Sequence, residues 1–224
     1  MNTASNDETE AKTFLSQGQG DRFDRWVEFF SVIVLSLATV MTAWCGYQAA
    51  QWDGEQANYY NLATTAQVAA SQKANEGMLR ASTQVGLFVE YAAAISTENM
   101  ELADFLFARF PTTLKAATDA WLALKPLQNP DAPLTPFDMD AYVLEEQIES
   151  EKLQAESVEL FRKANEANEL SDEYVLLTVI FATVLFFTGV AGKFQWRVLD
   201  AAMLIMGITV FIYGAVRILN SPIL

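Results

Sequence analysis

The chain has 224 residues, with 28 acidic and 14 basic side chains, no histidine and a net charge of −14 at pH 7. Histidine is the commonest metal ligand and the commonest general base near neutral pH, so its absence excludes serine–histidine, cysteine–histidine and histidine–zinc catalysis. Nucleic acid is not expected as a partner, because phosphate binding depends on basic surface. We predict a non-enzymatic protein without cofactor or metal; an enzyme built from carboxylates alone is the alternative, and no spacing identifies such a pair.

The apolar residues are concentrated in three blocks. Residues 29 to 52, 174 to 192 and 201 to 216 contain no charged side chain. A hydrocarbon core of roughly 30 Å is crossed by about 20 apolar helical residues, so the first two blocks are long enough, and the third suffices if Arg217 extends from its end to the interface. We therefore predict an all-α membrane protein with three transmembrane helices and a helical bundle between the first two. The alternative is a buried apolar hairpin in a soluble protein.

The chain divides into six predicted segments. They are a disordered tail (1–22), transmembrane helix 1 (23–50), an acidic helical extramembrane domain (51–173), transmembrane helix 2 (174–192), a short basic turn (193–197) and transmembrane helix 3 (198–219). The tail is polar and lacks the pattern of a removable signal peptide. Cys45 is the single cysteine, so no intrachain disulfide can form, and we expect an inert buried thiol.

Basic residues indicate an orientation. Lys12, Arg22 and Arg25 precede the charge-free block of the first span and Lys193 and Arg197 lie in the short turn, whereas residues 52 to 72 contain no Lys or Arg. The positive-inside rule then places the tail and the turn in the cytoplasm and residues 51 to 173 outside. Residues 53 to 173 carry 21 Asp and Glu against 8 Lys and Arg. This acidity favours solubility, and a vestibule that attracts cations is the alternative.

The extramembrane domain is predicted to start with a helix that continues from span one. Residues 58 to 94 are rich in helix formers and contain no proline. Small residues recur along this helix at spacings of three and four, which suits close packing against another helix. They are Ala63, Ala66, Ala70, Ala74, Gly77 and Ala81.

Breaks and caps predict the remaining helices of this domain. Ser96 and Thr97 are candidate N-caps of a second helix, and Pro111 is expected to break or kink it. Four prolines between residues 126 and 136 predict a loop. Asp138 or Asp140 is expected to cap the last helix, which should start near residue 139 and run into span two.

The stretch WCGYQAAQWDGEQANYY, residues 44 to 60, has two faces when it is drawn as a helix. One face, here called the small-residue face, consists of Gly46, Ala50, Gly54 and Ala57. The other, the polar face, consists of Gln48, Gln51, Glu55 and Asn58. Small residues every four positions favour close helix packing in membranes. The polar face is expected where a helix leaves the lipid, or alternatively at the mouth of an oligomeric pore, where rings of Glu55 would favour cations.

Three features follow one another along the chain. They are a YQA-containing helix at the exit of span one (Tyr47, Gln48, Ala49), a long Ala/Glu/Gln-rich helical middle, and a C-terminal hairpin with a short basic turn. In this combination the chain resembles bacterial three-span membrane proteins known as domains of unknown function. The resemblance covers the architecture of most of the chain and rests on few motif residues. It implies location in the bacterial inner membrane and no catalytic role.

Three functions are consistent with these observations. The first is a self-associating inner-membrane protein that presents its helical domain for scaffolding or interaction. Its partners would be the lipid bilayer, further copies of itself and a membrane protein. The second is an oligomeric cation channel lined by transmembrane helix 1. The third is a sensory or accessory membrane subunit, although its cytoplasmic parts would be only a tail and a turn. No charged residue lies deep within a span, which disfavours a coupled transporter.

Overall fold

The computed structural model describes the backbone of residues 3–191, 193 and 196–224, and the side chains of these residues from Arg25 onward. The described part of the chain contains five α-helices, a single 3-10 turn at Pro136–Asp138, and no strand. The helices are α1 (Thr3–Ser96), α2 (Met100–Ala108), α3 (Thr112–Ala123), α4 (Glu145–Val190) and α5 (Arg197–Asn220). The all-α prediction is therefore confirmed. Segments of α1, α4 and α5 are long and apolar enough to cross a membrane, as a multi-pass membrane protein requires.

Helix α1 starts earlier than the sequence predicts. Its first residue is Thr3, so the backbone of residues 3–22, for which we predicted a disordered tail, is helical. These residues contain no proline and adjoin a strong helix, and extending an existing helix avoids the unfavourable nucleation step. Met1 and Asn2 lie outside the described residues.

The end of α1 corrects the predicted cap of the second helix. The hydroxyl groups of Ser96 and Thr97 donate to the carbonyl oxygen of Ala93 at 2.8 and 3.0 Å, so they close α1 instead of starting α2. Glu98 follows in the left-handed region, with φ of 57°. The N-cap of α2 is Asn99, whose side chain accepts a hydrogen bond from the Leu102 N–H at 3.2 Å. Asparagine suits this position because its short side chain reaches the free N–H groups of the first turn.

The predicted break at Pro111 is confirmed, since this residue is the N-cap of α3. The predicted start of the last helix near residue 139 is wrong. Asp138 lies in the 3-10 turn, where its carboxylate accepts a hydrogen bond from the Thr135 hydroxyl at 2.8 Å, and α4 begins only at Glu145. The Tyr142 N–H donates to the Met139 carbonyl at 2.8 Å, which holds the intervening residues in a turn.

The chain forms two compact units. The first combines residues 1–58 with residues 163–224, and the second, here called the helical domain, is Tyr59–Arg162. In the first unit, side chains of α1, α4 and α5 form the core. It contains Val34, Ala38, Cys45, Ala49, Tyr174, Leu177, Phe181, Val184 and Ile218.

Three hydroxyl groups in the apolar part of α1 are satisfied within the helix, whereas the buried Ser31 hydroxyl has no hydrogen-bond partner. Ser36, Thr39 and Thr42 each donate to the carbonyl four residues earlier, at 2.8 Å. Thr183 in α4 and Thr209 in α5 do the same at 2.9 and 2.8 Å. A side-chain hydroxyl paired in this way needs no water, which is the condition for its presence in a membrane span.

In the helical domain, α1 and α4 pack through small residues. Ala63 and Ala70 are 0% and 1% exposed, and the hydroxyls of Ser157 and Ser150 donate to their carbonyl oxygens at 3.0 and 2.9 Å. These bonds across the helix pair require the two backbones to approach closely. Of the other members of the predicted small-residue row, Ala66 and Gly77 are buried, Ala81 is half-buried and Ala74 is exposed.

Aromatic rings pack the short elements onto α1. Phe88 makes edge contacts with Trp121 of α3 and with Phe137 of the 3-10 turn, at 5.7 Å between ring centroids in both cases. Tyr91 contacts Phe110 at 5.4 Å. The Trp121 indole N–H donates to the Pro133 carbonyl at 2.7 Å, which fixes the proline-rich loop. Each such ring pair adds about 0.5–1.5 kcal/mol beyond its burial.

Candidate functional site

Residues 45 to 58 of α1, at the end of its apolar part, contain both predicted faces. Cys45, Gln48 and Ala49 are buried in the first unit, and Trp52 is half-buried. These positions recur every three or four residues, so a single side of the helix is covered by the rest of the unit.

All four residues of the small-residue face are exposed: Gly46, Ala50, Gly54 and Ala57. A Cβ atom built on Gly46 or Gly54 would have no atom within 4 Å other than those of its own helix backbone and chain neighbours. The face is therefore free in the single chain. The predicted role of this face in helix packing stays a prediction. The helix that packs against it would belong to another molecule, because no part of the same chain covers it.

The four residues of the polar face do not share one environment. Gln48 is 0% exposed, Glu55 is half-buried, and Gln51 and Asn58 are exposed. Gln48 is thus part of the interior of the chain. Only the other three have surface that a partner or a pore could use.

Gln48 binds the C-terminal residues. With its carboxamide oriented to satisfy both partners, Gln48 donates to the Leu224 carbonyl oxygen at 3.3 Å and accepts from the Leu224 N–H at 3.1 Å. The Tyr174 hydroxyl, from α4, donates to the Pro222 carbonyl oxygen at 2.9 Å. Buried amide and phenol groups need such partners, because an unpaired polar group in this environment costs about 1–3 kcal/mol.

A further hydrogen bond and an ion pair join helices of the first unit close to Gln48 and Tyr174 in the sequence. The Ser171 hydroxyl of α4 donates to the Ala49 carbonyl of α1 at 3.0 Å. The Arg217 guanidinium of α5 lies 2.6 Å from the Glu173 carboxylate of α4, with side chains 49% and 27% exposed. The sequence predicts that Arg217 extends to the interface, and the structure adds an acidic partner for it.

Helices α4 and α5 meet at two glycines. A Cβ on Gly207 would lie 2.7 Å from Thr188 Cγ2, and a Cβ on Gly214 would lie 2.9 Å from Phe181 Cζ. Sequence reasoning missed both residues, although two glycines seven apart on an apolar helix are a signal of close packing. It also missed the serines at 150, 157 and 171, whose spacing in multiples of seven places them on one side of α4.

The site offers hydrogen bonds and packing surface, and its ionisable groups include the carboxylates of Glu55 and Glu173. Among the residues with described side chains, no cluster of three or more Cys, Asp and Glu could hold a metal ion. Cys45 is 0% exposed, which keeps its thiol from acting as a nucleophile toward a substrate. The exposed small-residue face has the composition that suits close packing against another helix.

Comparison with family models, with curated proteins and with solved structures finds no match for this chain. The resemblance to bacterial three-span proteins stays a prediction.

Proposed function

We propose that the protein is a non-enzymatic integral membrane protein that self-associates through the small-residue face and presents its helical domain, Tyr59–Arg162, as a scaffold or interaction module. The observation that carries this proposal is the exposure of Gly46, Ala50, Gly54 and Ala57, on the side of α1 away from its own packing partners. Small residues allow helix backbones in lipid to approach closely, and close approach supplies the dispersion contacts that drive association there.

The other small residues of the chain support the same proposal, because several of them already pack within it. These are Ala49, Ala63 and Ala70, which are buried, and Gly207 and Gly214 of α5, which lie against side chains of α4. The small-residue face has the same composition and no partner in the chain. Lipid can cover it, but a second copy would fit it more closely.

The orientation we propose follows from charge. Basic residues flank the apolar segments at the N-terminal side of α1 and in the turn before α5, so we place the N-terminus and this turn in the cytoplasm of a bacterium. Residues 51–173 would then lie outside the inner membrane.

Cysteine cross-linking in native membranes tests the interface. In a Cys45→Ala background, we expect Ala50→Cys and Ala57→Cys to give disulfide-linked dimers on mild oxidation. Gln51→Cys is the matched control, because it is exposed on a neighbouring side of the same turn. Monomers from all three variants, together with a monomer mass by light scattering, would refute self-association.

A cation channel is the second candidate, because Gln51 and Asn58 expose their amides beside the half-buried Glu55. An oligomer with this side of α1 at its axis would bring copies of these groups into a ring. Cross-links from Gln51→Cys in place of Ala50→Cys would favour this arrangement. The decisive measurement is a planar-bilayer recording, in which Glu55→Gln should reduce cation selectivity; unchanged currents would eliminate a Glu55-lined pore.

A further inference from the structure

The exposed surfaces of α1 and α4 in the helical domain differ in charge. Of the 25 exposed residues that α1 contributes to this domain, three are charged: Glu76, Arg80 and Glu90. Of the 12 exposed residues of α4 in the same domain, seven are charged. They are Glu145, Glu149, Glu151, Lys152, Glu156, Glu159 and Arg162. Helix α4 thus presents the charged surface that is usual for a helix in water, and α1 does not.

The charges of α1 are placed where α4 supplies an opposite charge. The Arg80 guanidinium lies 2.7 Å from the carboxylate of Glu146 in α4. The Lys73 ammonium group lies 3.2 Å from the Glu76 carboxylate and 3.4 Å from that of Glu149 in α4. The side of α1 that is turned away from α4 has no such charges.

This uncharged side of α1, here called the outer face, is built from residues spaced alternately three and four apart. They are Asn75, Met78, Ser82, Val85, Val89 and Ala92. All six are exposed, whereas Gly77 and Gln84, which lie between them in the sequence, are buried. Met78, Val85 and Val89 are 71%, 41% and 57% exposed. A spacing that averages 3.5 residues is the pattern of a helix that packs along another helix, and exposed apolar residues in such a row indicate a contact surface.

The missing charge favours a second copy of this chain as the partner. In a parallel two-fold contact between helices each residue meets its own counterpart, so any charge there would meet a like charge. A different protein imposes no such restriction, and opposite charges would give it specificity and faster association. The helical domain carries 15 Asp and Glu against 7 Lys and Arg, so two copies repel each other unless the surfaces that meet are uncharged.

We infer that the outer face of α1 pairs in parallel with the outer face of a second copy. Asn75 would hydrogen-bond to its counterpart and fix the register, and Met78, Val85 and Val89 would each pack against their own counterparts. The charged surface of α4 then stays available to water or to another partner.

The inference rests on the proposed function, because insertion of both copies in one orientation makes the pairing parallel. Self-association of the membrane spans would also raise the effective concentration of the helical domains. A contact of about five helical turns is then sufficient.

Cysteine cross-linking of the full chain in native membranes tests the contact. In a Cys45→Ala background, we expect Met78→Cys and Val85→Cys to form disulfide-linked dimers, because counterpart residues would lie within the roughly 7 Å between Cα atoms that a disulfide spans. Gln154→Cys, at an exposed position of α4, is the matched control and should cross-link at least fivefold less. Monomers from both Met78→Cys and Val85→Cys, or equal cross-linking of Gln154→Cys, would overturn the inference.

A charge exchange tests whether the outer face meets itself. In the Met78→Cys chain, Val85→Glu and Val85→Lys should each lower the dimer fraction at least fivefold, because the new charge faces its counterpart. Val85 is exposed in the single chain, so neither change disturbs its core. Coexpression of the two chains should restore at least half of the original dimer, since opposite charges then meet. If coexpression restores nothing, the face binds a different protein and the inference is wrong.

The outer face and the small-residue face can fail separately. Dimers through Ala50→Cys without dimers through Met78→Cys would keep the small-residue face as the interface and overturn the pairing of the helical domains. Dimers through Met78→Cys alone would support this pairing and refute the small-residue face.

Discussion

The Ser157 hydroxyl of α4 donates to the Ala63 carbonyl of α1 at 3.0 Å, and the two side chains are 1% and 0% exposed. A serine can reach the backbone of a neighbouring helix only when the residue opposite it is as small as alanine. The distance between α1 and α4 in the helical domain therefore depends on the small size of the Ala63 side chain.

Enlarging Ala63 should open this helix pair. We expect Ala63→Leu to destabilise the helical domain by about 1–3 kcal/mol or more, because extra methylene groups in a filled interface force a backbone shift. The shift also removes the Ser157 hydrogen bond. Thermal unfolding of the purified protein, followed by far-ultraviolet circular dichroism, measures the effect.

The matched control is Ala57→Leu, since Ala57 is exposed in the single chain. It should leave the unfolding of a monomer unchanged and reduce the dimer fraction in membranes. Equal destabilisation by both variants would contradict the assignment of the two alanines to different surfaces.

The glycines of α5 should tolerate no Cβ atom. In Gly214→Ala the new Cβ would lie 2.9 Å from Phe181 Cζ, and the Phe181 ring is fully buried and cannot move without disturbing the core of its unit. We expect a loss of about 1–3 kcal/mol from overpacking. Urea or SDS titration of the protein in mixed micelles, with Trp fluorescence as the signal, measures it.

Gly46→Ala is the control for this change, because a Cβ there meets nothing within 4 Å. It should be neutral or slightly stabilising, as alanine is a better helix former than glycine by about 1 kcal/mol. Combining Gly214→Ala with Phe181→Leu should recover part of the loss. If the double variant is no better than Gly214→Ala alone, the contact with Phe181 is not the cause.

Removing the Tyr142 hydroxyl should stabilise the helical domain. This hydroxyl is buried without a hydrogen-bond partner, while the ring packs against Phe137 at 4.9 Å between centroids. Tyr142→Phe keeps the ring contact and removes an unpaired polar group, so we expect a gain of up to about 1 kcal/mol at pH 7. A decrease in the midpoint of thermal unfolding would show that the hydroxyl is paired in solution.

The same residue predicts a pH dependence. Burial raises the pKa of the Tyr142 phenol above its ordinary value of about 10, and burial with the charges of Asp104 and Asp119 raises the pKa of Tyr91. The folded state thus binds these protons more tightly than the unfolded state, and stability is complete below pH 10 and falls as the pH rises above it. Unfolding curves at pH 9, 10 and 11 should show a steeper fall for the original chain than for Tyr142→Phe. Parallel falls would assign the effect to Tyr91 or to other groups.

Thiol labelling tests the proposed orientation. In a Cys45→Ala background, Ser71→Cys and Lys193→Cys place single thiols at exposed positions, one in the helical domain and one in the turn before α5. A membrane-impermeant maleimide should label Ser71→Cys in intact cells and Lys193→Cys only after permeabilisation. The reverse pattern would invert the topology and leave the three spans unaffected.

Much of the helix content follows from local sequence. The charge-free blocks ending at Trp52 and Gly192, and the absence of proline from residues 58 to 94, are read without knowledge of the fold. Pro111 acts through its own ring and missing N–H, so its position at the start of α3 is also readable locally. The start of α4 at Glu145 is not, because the preceding turn depends on the ring contact of Tyr142 with Phe137 and on the hydrogen bond from the Tyr142 N–H to the Met139 carbonyl.

The tertiary structure alone decided which side of each helix is covered. Gln48 and Gln51 are the same residue type on the same turn, yet Gln48 is enclosed with Leu224, 176 positions away, and Gln51 is exposed. Gly46 and Gly214 are likewise both helical glycines, one free and one against a phenylalanine ring. Hydrophobicity and helix propensity depend on each residue and on those next to it in the chain, so they can be predicted from the sequence. Burial of a particular side chain depends on which distant segment packs against it, and that choice is made only when the chain folds.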